Sequence, residues 1–291
     1  MLERRNPLRP LSEAAIIILA FNGPMLTAGL SAQESVPAAD PAEVPEGKAN
    51  LHRMLDESAS RYALYASKER GEQLKLHCVL RWANVTRGSV DGATYIWTAD
   101  GRPMATVCVY PFAGRLCDNF QSLAEGPVTA WVDGKPVWRC EQPGLEYQPI
   151  ADAPAPEESA AGRLRQMKSL AQRFNTTLVG WKADDSDREV LRMLPRPVYR
   201  YENDQAKDGT VFAFVQGTDP EAFLLIEARP DASNGGNVSW QFAMARRTSG
   251  ALETHYDSRL VWKAKRLTDY SDPKQPHFQM DRPLSLVEPI K

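Results

Sequence analysis

The residues able to do chemistry in this chain are scattered rather than grouped. The four histidines, His52, His77, His255 and His277, stand one by one, and no H-E-x-x-H occurs. The four cysteines, Cys78, Cys108, Cys117 and Cys140, include no C-x-x-C pair, so a zinc site has no ligand spacing to build on. His77 and Cys78 are neighbours on an expected strand, where they point to opposite faces and cannot act as a Cys–His pair. No G-x-S-x-G is present, and Ser271-Asp272-Pro273-Lys274 matches S-x-x-K inside a proline-rich segment instead of at the head of a helix. The carboxylate pairs Asp219/Glu221 and Glu202/Asp208 have the chemistry for acid–base work but fall at expected turns, where such residues serve local hydrogen bonding. Asp184-Asp185-Ser186-Asp187 lacks the ligand spacing of an EF-hand and reads as a solvated hairpin turn. No dinucleotide or Walker glycine motif occurs. On these grounds no catalytic, metal-ligating or cofactor-binding residue is assigned, no cofactor is expected, and the balance leans away from an enzyme.

Two residue classes remain. The seven tryptophans, Trp82, Trp97, Trp131, Trp138, Trp181, Trp240 and Trp262, would stack sugar rings if exposed and fill a core if buried. Arg81, Arg87, Arg192 and Arg200 lie within or beside expected strands, where arginines pair structurally or line a site. A flavin-binding split barrel would suit small β units with Asp-Gly-Arg-Pro turns, but its phosphate-binding residues are not recognisable.

The N-terminus reads as an export signal. Arg4-Arg5 precede an apolar stretch, Ala14–Phe21, extended by Met25–Leu30, and Leu30-Ser31-Ala32 suits cleavage after Ala32. Asn22-Gly23-Pro24 interrupts the stretch, against an uncleaved membrane anchor as the alternative. The expected location is the periplasm or cell envelope, with no membrane span after signal removal. A formal net charge of −2 gives no general basic field for nucleic acid. Export permits disulfides. Cys108 and Cys117 are symmetric about a bend at Phe112-Ala113, which would face them across two strands and leave Cys78 and Cys140 as a second pair. Four buried thiols is the alternative.

The elements that must position these side chains follow from periodicity and turn chemistry. A signal peptide (1–32) and a Pro/Ala/Glu spacer (33–47) precede a first helix-plus-sheet unit (48–148). Lys48–Gln73 has helical apolar spacing, and strands follow at Leu74–Trp82, Asp91–Tyr110 as a hairpin, Leu116–Leu123, and Val128–Trp138 around Asp133-Gly134. A Pro/Ala linker (149–160) leads to a second unit (161–268). It opens with a helix over Arg163–Phe174 and includes strands at Leu178–Ala183, Glu189–Leu194 and Val198–Glu202. Asp208–Ala228 reads as its central hairpin, turning at Gly217-Thr218-Asp219-Pro220, and is followed by a turn at Asn234–Asn237 and strands at Trp240–Arg246, Leu252–Tyr256 and Arg259–Lys265. Phe212/Phe214 and Val211/Ala213/Val215 are apolar on both strand faces, so both should be covered. Residues 269–291 read as a C-terminal tail.

The expected class is α+β: two tandem antiparallel sheet units, each preceded by one amphipathic helix. Leu80-Arg81 matches Leu191-Arg192, and Trp131–Trp138 matches His255–Trp262, which suggests an internal repeat. Chance likeness between two antiparallel sheets is the alternative.

Several strings also resemble those of a family of uncharacterised exported proteins from planctomycete bacteria. They are Leu80-Arg81-Trp82-Ala83-Asn84 with Arg87-Gly88, Gly92-Ala93 through Trp97-Thr98, Gly101-Arg102-Pro103, Arg163–Met167, Leu194-Pro195 with Tyr199–Glu202, Phe212–Glu221 and Trp240–Arg246. The resemblance runs from about Leu80 to Trp262 and implies export and a shared fold, without a known activity. The functional expectation is therefore a non-catalytic binding or interaction module of the cell envelope, with an unknown protein partner or self-association. The alternative is a periplasmic enzyme or carbohydrate binder whose site lies at the junction of the two halves.

Overall fold

A computed structural model describes residues 46–84, 89–180, 188–231 and 235–284. The signal segment with its cleavage point after Ala32, most of the spacer, Arg87, Trp181, Asp184–Asp187 and Asn234 lie outside the described residues. Every strand pairing is antiparallel, and two α-helices accompany the sheets, so the chain is α+β. All described residues belong to one compact unit, Val44–Lys291.

In the first half, α1 (Glu46–Ser60) leads into β1 (Ala63–Tyr65). Four strands then meander in order: β2 (Lys75–Asn84), β3 (Ser89–Ala99), β4 (Arg102–Phe112) and β5 (Arg115–Ser122). The hairpin β6 (Val128–Val132) and β7 (Lys135–Cys140) returns to β1, giving a three-stranded sheet β1-β6-β7. Leu55 and Ala59 of α1, Tyr95 and Trp97 of β3, Phe120 of β5 and Trp138 of β7 share one core. Hairpins close on Asp100-Gly101, Ala113-Gly114 and Asp133-Gly134, with positive φ at both residues of each pair. That geometry matches the right-handed twist of the flanking strands, and glycine adopts it without a Cβ clash.

The second half of the chain follows β8 (Gln148–Pro149). Helix α2 (Ala160–Ala171) is followed by β9 (Phe174–Val179), then by the short strands β10 (Arg188–Val190), β11 (Arg192–Met193) and β12 (Tyr199–Tyr201). The long strands β13 (Asp208–Gln216), β14 (Asp219–Pro230) and β15 (Val238–Arg246) come next, then β16 (Ala251–Tyr256) and β17 (Arg259–Ala264). The sheets run β11-β13-β14-β15-β8, with β12 also on β13, and β10-β9-β16-β17.

The β13–β15 sheet is apolar on both faces because both are covered. Phe212, Phe214, Leu224, Trp240 and Phe242 pack under α2, while Val211, Ala213, Phe223, Leu225 and Ala243 face Leu123, Leu145 and Tyr201. Leu123 and Leu145 come from the first half of the chain, so this second face forms part of the joint.

Four expectations are corrected. The first helix ends at Ser60, not Gln73. Ser60 Oγ donates back to the Asp56 carbonyl at 2.7 Å, and Ala63–Tyr65 is taken up by pairing with β6. The segment read as a tail from 269 supplies β18 (His277–Pro283), which adds to β5 and completes the sheet β18-β5-β4-β3-β2. The disulfide pairings Cys108–Cys117 and Cys78–Cys140 are not formed; all four are thiols, with Cys78 exposed. The β4–β5 turn lies at Ala113-Gly114, one residue beyond the expected bend, so Cys108 faces Asn119 and Cys117 faces Tyr110. The second helix shifts by three residues at each end, because Ser159 caps it by accepting from Gly162 N at 3.0 Å and Phe174 is drawn into β9 opposite Tyr256.

Candidate functional site

The two halves meet along a polar seam fastened by the tips of both long hairpins. The β13–β14 tip reaches back to the end of β2. Thr218 Oγ1 accepts from Ala83 N at 2.8 Å, Thr218 N donates to Ala83 O at 3.2 Å, and Asn84 Nδ2 donates to Asp219 Oδ2 at 3.1 Å. The β3–β4 tip reaches forward and presents Arg102 to Glu227. Arg102 Nε and Nη2 donate to the two carboxylate oxygens at 3.3 Å each. Glu227 has no solvent exposure and also accepts from Tyr147 at 2.6 Å and Tyr201 at 2.5 Å. The carboxylate stabilises the guanidinium and raises the Arg102 pKa, though burial opposes this as the largest single influence. This cluster has its hydrogen bonds made and serves as structure.

The far end of the seam differs. Strand β15 ends in Arg246 and is followed by Arg247. Alternation along a strand sends these neighbours to opposite faces. Arg246 continues the row of Trp240, Phe242 and Met244, and Arg247 that of Ala243 and Ala245. Neither reaches open solvent, being 9% and 4% exposed. Arg246 Nη2 donates to the carbonyls of Gly250 and Lys265, each at 2.7 Å, and its pKa falls to about 10 because burial disfavours the charge. Arg247 Nη2 donates to the Asn119 carbonyl of β5 at 2.9 Å, bridging the halves. Neither guanidinium has an ion-pair partner among the described residues, and Arg246 Nε, Arg247 Nε and Arg247 Nη1 have no hydrogen-bond acceptor. A buried charge with free donors is costly unless something compensates it. Asn119 Oδ1, Gln121 Oε1 and His277 Nδ1, all buried beside the same strip, also lack partners.

A cavity lies on each side of this strip. The larger, about 620 Å³, is lined by Arg247 and Asn119, by Cys108 and Tyr110 of β4, and by the apolar surfaces of Phe112, Leu178, Pro220 and Tyr270. Glu189, Asp219 and Glu221 also contribute, so its wall carries both signs of charge. Glu221 sits directly across the ladder from Arg247, whose backbone N donates to the Glu221 carbonyl at 2.8 Å. Burial raises the pKa of Tyr110 and of Cys108, so both stay protonated near neutrality and present polar surface instead of a nucleophile. The second cavity, about 500 Å³, is lined by Arg246, Gln121 and His277 with Leu145, Met244 and Trp262.

The residues singled out from sequence mostly resolve as structure. Arg81 grips Asp56 of α1 at 2.6 and 2.7 Å. Arg200 and Arg163 clamp the buried Asp208, and Arg192 donates to the Gly217 carbonyl at 2.8 Å. Glu202 is exposed and does not join Asp208. His77 lies beside Tyr199 with ring centres 5.7 Å apart. Ser271 donates to Asp269 within a local turn. Trp82, Trp97, Trp138 and Trp240 are buried core, and Trp131 lies beneath Arg70 at 4.4 Å. Of the sequence candidates, Asp219, Glu221 and Cys108 are brought together in the larger cavity, and His277 and Trp262 in the second. Arg246 and Arg247 were missed as a site. Their signal was two consecutive arginines closing an apolar strand, where one must face inward. Among the described residues no cluster of metal-ligating side chains forms, and no helix is long and apolar enough to cross a membrane. Comparison with protein-family models, curated proteins and solved structures found no match.

Proposed function

We propose that the chain is an exported, non-catalytic binding protein of the cell envelope. In this reading two copies of one helix-plus-sheet unit hold a small ligand in the cavity at their junction. The carrying observation is Arg247, a buried guanidinium with two donor nitrogens left without an acceptor, lining a cavity to which Tyr110, Phe112, Leu178 and Pro220 give apolar surface and Glu189, Asp219 and Glu221 give carboxylates. The ligand that fits has an apolar body and a carboxylate, which restores the charge balance of Arg247 in a desolvated setting. The neutral thiol of Cys108 and phenol of Tyr110 favour binding over catalysis at this wall.

The repeat is supported by strand order. β2-β3-β4-β5-β18 and β12-β13-β14-β15-β8 have the same succession, and so do β1-β6-β7 and β9-β16-β17. Each half lends its following strand to the other: β8 pairs with β15, and β18 with β5. Export and kinship with the planctomycete family rest on the N-terminal pattern and the matched strings.

Calorimetric titration with 3-phenylpropionate and with phenylalanine tests the ligand reading. Binding of either one, lost on Arg247→Met in a variant that keeps its thermal transition, supports it; the absence of heat with both overturns it. A protein partner or self-association is the second reading. Val190 and Leu260, exposed on the edge strands β10 and β17, favour it. A monomer at all concentrations in sedimentation equilibrium would remove self-association.

A further inference from the structure

We propose that the second cavity, between β5, β18 and the end of β15, is a separate site for a small organic oxyanion that carries a donatable proton. This rests on Arg246, His277 and Gln121 and is independent of the Arg247 cavity.

The hydrogen-bond complement can be worked out atom by atom. Arg246 has used Nη2 on two backbone carbonyls, and its Nε–H is left without an acceptor. The Asn119 amide is oriented by Nδ2 donating to Gln279 Oε1 at 3.4 Å; His277 Nε2, 3.3 Å from the same Nδ2, is then the acceptor, and the ring proton resides on Nδ1. Burial and the nearby Arg247 and Arg246 keep this ring uncharged. His277 Nδ1–H is therefore a second donor without a partner. Gln121 is oriented by Nε2 donating to the Ser122 carbonyl at 2.9 Å; a flipped amide would set two oxygens against each other. Its Oε1 is thus a fixed acceptor, again without a partner. His277 and Gln121 face each other across the β18–β5 ladder, and all three residues line the one cavity.

The ligand must satisfy two donors and one acceptor beside the Arg246 guanidinium, which has no ion-pair partner among the described residues, in a cavity that Glu146, Asp269 and Asp272 also line. A fully deprotonated anion such as sulfate answers the donors and leaves Gln121 Oε1 buried and unpaired. A phosphate monoester retaining its proton, or an α-hydroxy carboxylate, answers all three. The space is far larger than one oxyanion, and Leu145, Met244 and Trp262 offer apolar surface to the body that carries it.

The test is calorimetry on the full chain at pH 7 with two matched pairs, inorganic phosphate against sulfate and lactate against propionate. The expected result is that within at least one pair the proton-bearing member binds tenfold or more tightly, since a site left with an unpaired buried polar group rejects the analogue lacking the hydrogen. Discrimination in the first pair assigns a phosphate ester, and in the second a hydroxy acid. Gln121→Met should narrow the discrimination to within about threefold, and Arg246→Met should weaken binding by thirtyfold or more. Should Arg246→Met fail to fold, Arg246→Lys, which lacks the Nε–H, should still weaken it about tenfold. The His277 Nδ1–H proton resonance should shift on saturation in the unsubstituted chain. No binding by any of the four at about 10 mM, where even a millimolar complex is nearly filled, overturns the site. Equal binding within both pairs also overturns it.

Discussion

Replacing Arg102 by methionine should lower the stability of the chain by about 3 kcal/mol. Arg102 and Glu227 stand 125 residues apart, and their side chains are 8% and 0% exposed. At 3.2 Å between charged atoms, an effective dielectric constant of about 20 gives an attraction of roughly 5 kcal/mol. Removing one partner of such a buried pair costs about 3–5 kcal/mol, because the remaining charge is left without its counterion. The lower end applies here, since Glu227 keeps the two tyrosine hydroxyls and Arg229 Nη1 at 3.5 Å. Adding Glu227→Gln removes the stranded charge while leaving a carbonyl oxygen for a tyrosine. The double variant should therefore lose only about 1–2 kcal/mol, less than the sum of its parts. Urea denaturation of the wild type, both single variants and the double variant measures all four corners. A cost for Arg102→Met under about 1 kcal/mol, or strict additivity, would refute the view that this pair locks the halves together.

Other outcomes follow from the same geometry. His277 is held neutral in the fold, with its pKa below the ordinary 6.5, by burial and by Arg247 and Arg246. The unfolded chain then binds the extra proton, and stability should fall as pH drops below about 6.5, by up to about 1.4 kcal/mol per unit. His277→Gln should flatten that slope in urea titrations between pH 7 and 5. Glu253 is held down to about 2 by its bonds to Arg188 and Lys263. Its contribution is complete above the ordinary value of 4.5 and lost as pH falls towards 2, so Glu253→Gln should lessen acid sensitivity in that window. Phe223 is fully buried in the joint between the halves, and Phe223→Ala should cost about 3–5 kcal/mol in the same assay.

Local features of the fold were legible because their causes are local. Asp133-Gly134 marks a turn by backbone preference, and the two-sided apolar pattern of Val211–Val215 announces a sheet covered on both faces. The helix face of Met167 and Leu170 is likewise written in its spacing. β18 was not legible: His277–Pro283 has few apolar residues and becomes a strand only because β5 offers an open edge. The Cys108–Cys117 pairing failed on a one-residue error in the turn, which displaces partners by two along the ladder. The site was the least legible part. Arg247 gains its character from Asn119, Tyr110 and Pro220, brought together by tertiary packing that no sequence window contains. Arg81 and Arg200, which looked equally suggestive, have carboxylates within 3 Å.

The most direct measurement is the Nε–H resonance of each arginine followed while 3-phenylpropionate is titrated into the isotopically labelled chain. A ligand seated in the junction cavity should move the Arg247 signal saturably, while that of Arg102, already occupied by Glu227, stays in place. An Arg247 signal that remains fixed to the highest concentration reached, or that moves no more than that of Arg102, would contradict the account.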